Sequence, residues 1–252
     1  MFQRLDWRGA LLGAGCCFSM GIASAAEELT LTLNPESDAT LYETSSGRNH
    51  PANGAGEALF AGRTNVQLGG VIRRFLVRFD LDQLPANAEI QSATLTFVYF
   101  LNINRDETDP TTLHRVTSDW NEGPALPFNN GGGGTAATPS DVTWVRRGIG
   151  DFTWDTQGGD YINTPSATGD GPALIGESLV LQSPGMVEDL NFWRDTPEQN
   201  FGWIIRGDES GPIFNARGYG SRENDDPALL PKLEIRYTLT QADTPSDAWM
   251  VY

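Results

Sequence analysis

The sequence predicts an all-β domain of antiparallel strands with one short helix. Three observations carry that prediction. Apolar and polar residues alternate at period two, Gly, Pro, Asn and Asp interrupt the chain at short intervals, and helix signals are scarce. No alternation of strands with helices, of the kind that builds parallel sheets, is visible.

The strands follow in chain order. Leu29, Leu31 and Leu33 alternate with Thr30 and Thr32 until Asn34-Pro35 breaks the run. Phe75, Val77 and Phe79 alternate with Arg74, Leu76 and Arg78, and Leu95, Phe97 and Tyr99 with Thr94, Thr96 and Val98. Near the end, Leu233, Ile235 and Tyr237 alternate with Lys232, Glu234 and Arg236, a polar set that marks a solvated face. Leu76 and Val98 make the outward sets of their strands less polar, which predicts cover on both faces.

The one helix is expected from Ser183-Pro184. Ser183 can cap the first turn, Pro184 suits its first position, and Val187, Leu190 and Trp193 or Arg194 recur at helical spacing before Pro197. The glycine run from Asn130 to Gly134 reads as a flexible loop tip.

Residues 1–25 read as an export signal. Arg4 and Arg8 precede an apolar run from about Ala10 to Ile22, and Ala23-Ser24-Ala25 suits cleavage near Ala25/Ala26. The run is too short to span a bilayer comfortably, so a secreted protein with no membrane association in its mature form is expected. Residues 26–239 then form one β domain and 240–252 a tail. Both cysteines, Cys16 and Cys17, fall in the signal, which leaves neither a disulfide framework nor a thiolate metal site. The formal net charge of −16 argues against nucleic acid and anionic membranes as partners. Lys232 is the only lysine, so the cations are arginines, whose planar forks pair with carboxylates.

Several segments, taken in order, resemble one family. They are Asp38 to Tyr42, Arg74 to Leu81, Leu84-Pro85, Ile90 to Leu95, Leu113 to Val116 and Asp119-Trp120-Asn121-Glu122-Gly123. Val142 to Trp144, Trp154 with Gly158 to Tyr161, Asn200 to Trp203, Ser221-Arg222-Glu223 and Pro231 to Leu233 complete the set. In order and spacing this resembles the DNRLRE domain family, which overlaps carbohydrate-binding module family ninety-six, over roughly Asp38 to Thr238, although the literal DNRLRE string is absent. The resemblance implies an antiparallel jelly-roll β-sandwich found in secreted bacterial proteins, beside polysaccharide-degrading enzymes or at surfaces. Some relatives bind alginate through basic side chains. The implied partners are a polysaccharide and either a separate polysaccharide-degrading enzyme or a surface matrix. Fold and family do not fix the ligand.

A glycan site needs an aromatic platform or forked donors on a rigid surface. Trp144 is followed by Arg146 and Arg147, with Trp154 ten residues beyond it; Arg217, Tyr219 and Arg222 form a second cluster. The candidate carbohydrate-binding residues are therefore Arg146, Arg147, Trp154, Arg217, Tyr219 and Arg222. Each has a competing structural role. Trp120, Trp144 and Trp203 suit core packing, Arg222-Glu223 suits an internal ion pair, and adjacent Arg146 and Arg147 would face opposite sides of an extended segment. No cofactor is called for, although a structural calcium would find generic acids in Asp38, Asp208-Glu209 and Asp225-Asp226; no Asp-x-Asp-x-Asp-Gly loop is present.

No catalytic set stands out. The chain has only His50 and His114, and neither a Gly-x-Ser-x-Gly elbow nor a cysteine outside the signal. His114 reads as a strand residue and His50 as a loop residue beside Pro51. The leading expectation is a secreted non-catalytic carbohydrate-binding module for an acidic polysaccharide such as alginate. The alternatives are a structural or adhesive surface domain without a sugar site, and a polysaccharide lyase.

Overall fold

The period-two segments all become strands. The computed structural model describes residues 27–44, 50–64, 72–101, 107–210 and 214–240. The predicted export signal, residues 1–25, and the predicted tail beyond Thr240 lie outside these residues. In chain order the strands are β1 (Glu28–Leu33), β2 (Ser37–Tyr42), β3 (Pro51–Ala52), β4 (Ala58–Arg63), β5 (Ile72–Arg78), β6 (Ala88–Leu101) and β7 (Asp109–Arg115). Then come β8 (Thr135–Ala136), β9 (Ala167–Gly171), β10 (Ser178–Gln182), the helix α1 (Pro184–Asp195), β11 (Trp203–Arg206), β12 (Arg217–Gly220) and β13 (Lys232–Leu239).

Nearly all strands join one large sheet in the order β1-β13-β6-β12-β4-β5-β11-β7-β9, with β10 paired to β6 and β2 to β5. Every pairing is antiparallel, and β3 and β8 form a small separate ribbon. The sheet curls so that its two halves face each other as a jelly-roll-like sandwich. The long strand β6 makes this possible, because it pairs with β13, β10 and β12 along its length. Leu95, Phe97 and Tyr99 of β6 meet Phe75 and Val77 of β5, Trp203 of β11 and Tyr219 of β12 in the core between the halves. The rings of Phe75 and Phe97 meet edge to face at 5.0 Å.

The helix begins at Pro184, and its Met186, Leu190 and Trp193 close one end of the core. Ser183 precedes it in an extended conformation, but its hydroxyl donates to the Ser166 carbonyl instead of capping the helix. Asp189 also faces inward. It accepts 2.7 Å from the Trp203 indole N–H and lies 3.4 Å from Arg115, so one carboxylate ties α1 to β11 and β7.

The lower polarity of the Leu76 face has a structural cause. Ala39, Leu41, Leu76 and Ile204 form the outer face of β2, β5 and β11, where Val116, Trp120, Val142, Trp144 and Trp154 cover them in a second core. The covering residues all belong to the long connection from β7 to β9, residues 116–166. Val98 of β6, by contrast, is only half-buried. The glycine run is tied down as well. Asn129–Gly131 forms a 3-10 turn whose Gly131 carbonyl accepts from the Tyr42 hydroxyl at 2.6 Å.

Candidate functional site

The connection 116–166 has almost no regular structure, so its shape depends on side-chain anchors. The Trp120 indole donates to the Phe201 carbonyl at 2.8 Å and the Trp154 indole to the Thr143 carbonyl at 2.9 Å. The fully buried Asp141 accepts from the Ala125 N–H at 2.8 Å and from the backbone and hydroxyl of Thr138 at 2.6 Å. These bonds satisfy polar groups that burial would otherwise penalise. Below them, Arg74 grips Glu209 with two bonds at 2.7 and 2.9 Å and stacks on the Trp144 ring at 4.8 Å. Gly158 lies against that ring with φ +87°. A Cβ there would stand 2.7 Å from the indole, so only glycine fits.

On this anchored base, residues 143–154 fold back on themselves. Thr143 N–H donates to the Arg146 carbonyl at 2.8 Å, Arg147 N–H to Phe152 at 3.0 Å and Trp154 N–H to Val145 at 3.0 Å. Gly148, at φ +71°, turns the chain where a Cβ would meet the Asn121 carbonyl at 2.5 Å. The fold-back presents Phe152, which is 61% exposed, with the Arg147 guanidinium 5.1 Å from its ring centroid.

The two neighbouring arginines diverge. Arg147 stacks on Phe152, whereas Arg146 acts on His50 and, with burial as the larger cause, holds that imidazole below its ordinary range. They share one feature. Neither forms an ion pair with a described carboxylate, and the Arg147 Nε is buried without a hydrogen-bond partner. Most other arginines are paired in this acidic chain, among them Arg74, Arg78, Arg206 and Arg217.

The remaining predicted contacts lie in other surroundings. Trp154 is 4% exposed and its indole is committed to the turn, so it supports the surface from beneath and offers no platform. Tyr219 is 1% exposed and packs among Phe75, Phe97 and Tyr99; burial pushes its hydroxyl well above the usual tyrosine range. Arg217 is 3% exposed and spends its donors on Asp109 and on the carbonyls of Pro172, Asn215 and Glu107. A glycan at the surface cannot reach these groups. Arg222 is more exposed, but it holds both oxygens of Glu122, at 3.0 and 2.8 Å, and Glu223 at 2.8 Å. Trp120, Trp144 and Trp203 are core residues. Phe152 escaped the sequence reading, although its place after Gly150-Asp151, among turn residues, was a signal of exposure.

Asp38, Glu122 and Glu223 bring carboxylate oxygens within 4.8 Å of one another. This donor set does not fit a calcium ion. The Arg222 guanidinium already spans Glu122 and Glu223, and a divalent ion among these oxygens would lie against that fixed positive charge.

His114 has no free nitrogen. Nδ1 lies 3.0 Å from the Ile162 carbonyl and Nε2 3.0 Å from the Thr112 hydroxyl; a neutral ring donates through the first and accepts through the second. A groove of about 470 Å³ beside the end of α1 is lined by Arg78, Asp80, Asp82, Trp193, Glu198 and Asn200 among others, and its acids would repel a uronate. No helix among the described residues is long and apolar enough to cross a membrane.

The architecture and the exposed surface describe an all-β sandwich with an arginine–aromatic patch on one covering loop. Compared with models of known protein families and with curated proteins, the chain matches none.

Proposed function

We propose that this chain is a secreted, non-catalytic carbohydrate-binding module for an acidic polysaccharide such as alginate, of the kind the DNRLRE resemblance implies. One observation carries the reading: Arg147, without an ion-pair partner among the described carboxylates of a chain of net charge −16, lies over the exposed Phe152 on an anchored turn. An unpaired guanidinium suits a uronate carboxylate, and the ring suits the apolar face of the same sugar. Arg146 adds positive charge from the flank. His114, with both nitrogens engaged, supports binding without cleavage.

Affinity electrophoresis through alginate, polygalacturonate and neutral glycans tests this reading. Retention in the two polyuronate gels is expected, with retention weakened in Arg147→Ala and in Phe152→Ala. Equal mobility in all gels, or unchanged retention in both variants, rejects it, and new unsaturated ends absorbing in the ultraviolet would make the chain a lyase. Leu126 and Phe128, exposed at 68% and 92%, favour a second reading as an adhesive domain that grips a protein or matrix surface. Loss of surface adhesion in Phe128→Ser, with glycan retention absent in the parent, would select it.

A further inference from the structure

We propose that the group formed by Asp38, Glu122, Arg222 and Glu223 holds a proton instead of a metal ion, and that this proton clasps the 116–166 connection to the sheet and is released as the pH rises. The group joins three distant parts of the chain. Asp38 lies on β2, Glu122 at the start of the covering connection, and Arg222 and Glu223 just after β12. Asp38 N–H donates to Glu122 at 2.7 Å, and Arg222 N–H donates to the Asp38 carboxylate at 2.8 Å.

The charges do not balance. Three carboxyl groups face one guanidinium, and the leading charges acting on Asp38, Glu223 and Arg222 come from within the group itself. Ser221, two residues before Glu223, gives its hydroxyl hydrogen to the Gly56 carbonyl and accepts from the Glu223 N–H. Asp38 is 1% exposed. The Glu223 Oε2 atom is buried and receives no hydrogen bond, which is costly for an ionised carboxylate and tolerable for one that carries a hydrogen. Like charges in such a space share a proton. Burial first, and the Glu122 charge second, push Glu223 up to about 7; burial and the charge of Glu223 hold Asp38 well above its ordinary range.

The clasp adjoins the proposed glycan surface. Asn121, the neighbour of Glu122, donates its N–H to the Arg147 carbonyl at 2.8 Å and accepts from Val142 at 3.0 Å. Losing the proton adds a second uncompensated negative charge beside this anchor, so the Arg147 turn should loosen. The effect on binding rests on the proposed function; the proton does not.

The test compares the full chain with Glu223→Gln, a neutral carboxyl mimic, in chelator at pH 5 and pH 8. The variant is expected to melt several degrees above the parent at pH 8 and close to it at pH 5, and its alginate retention should fall less between the two. In the parent, an NMR titration of the Glu223 carboxyl should show a midpoint near neutrality, a readout that survives even if the variant does not fold. A midpoint below pH 5, or a variant less stable than the parent at pH 8, overturns the proposal. Calcium that raises the melting temperature of the parent at pH 8, and not that of the variant, overturns it in favour of a metal. Should the parent bind no polyuronate at either pH, the proposed function fails, while the melting and NMR results still decide whether the proton is held. Should it bind equally at both, the release step is wrong.

Discussion

Arg217 Nη1 lies 2.7 Å from Asp109 Oδ2 inside the fold, joining residues 108 apart in the chain. The same guanidinium supplies hydrogens to the carbonyls of Pro172, Asn215 and Glu107, so it closes the space between β12, the start of β7 and the end of β9. Removing a partner from a buried charged pair leaves the other charge and its carbonyls unsatisfied, at about 3–5 kcal/mol. Arg217→Ala should therefore lower the urea midpoint of unfolding by that much stability. If it still folds, its alginate retention per folded molecule should match the parent. A variant with parental stability and lost retention would restore Arg217 to the binding surface.

The acid side of the stability profile should depend on His114. Burial first, with help from Arg206 and Arg74, holds its imidazole below the ordinary range in the folded chain, although the Ile162 carbonyl pulls the other way. The unfolded chain then takes up a proton below about pH 6.5 while the folded chain does not, and folding loses stability as the pH falls from there towards the folded pKa. Urea titrations between pH 7 and pH 5 should show a shallower loss in His114→Gln than in the parent. Equal slopes would mean that other groups set the acid limit. The clasp at Glu223 acts in the opposite direction. Its raised value means that the folded chain binds the extra proton, so its contribution is largest below about 4.5 and is lost as the pH rises through about 7.

These cases show what could be read in the sequence. The strands were legible because Phe75, Val77 and Phe79, or Leu233, Ile235 and Tyr237, repeat at the period of a pleated strand, and α1 was legible from Ser183-Pro184 and Leu190. The double cover of β5 was visible in the apolar Leu76. The site was much less legible. Arg146, Arg147, Arg217 and Arg222 look alike in a sequence, and what separates them is whether a carboxylate approaches from elsewhere in the chain. Asp109 reaches Arg217, and Glu122 reaches Arg222, across about a hundred positions. Tyr219 lies between two arginines of the sequence and gave no sign that its strand is covered on the side of Phe75 and Phe97. Phe152 stands out less in the sequence than the tryptophans around it, yet Trp120, Trp144 and Trp154 are the residues that hold the loop in place.

The proposed surface combines two physical attractions, and salt should separate them. The Arg147 guanidinium would attract a uronate carboxylate through charge, which added salt screens over about 8 Å at physiological ionic strength. The Phe152 ring would contact the sugar through apolar area, on which salt has little effect. Arg147→Ala should therefore weaken alginate retention several-fold at low salt and also flatten its salt dependence. Phe152→Ala should weaken it by a similar factor, about 1 kcal/mol for a lost ring contact, and leave the salt dependence as in the parent. The two variants can then be told apart by slope even where their affinities coincide. Isothermal titration at about 20 mM and about 300 mM salt measures both quantities, the interval being wide enough to change the screening length severalfold. Parallel slopes for the parent and Arg147→Ala would mean that the guanidinium touches no charge on the ligand, and the preference for an acidic polysaccharide would fall with it.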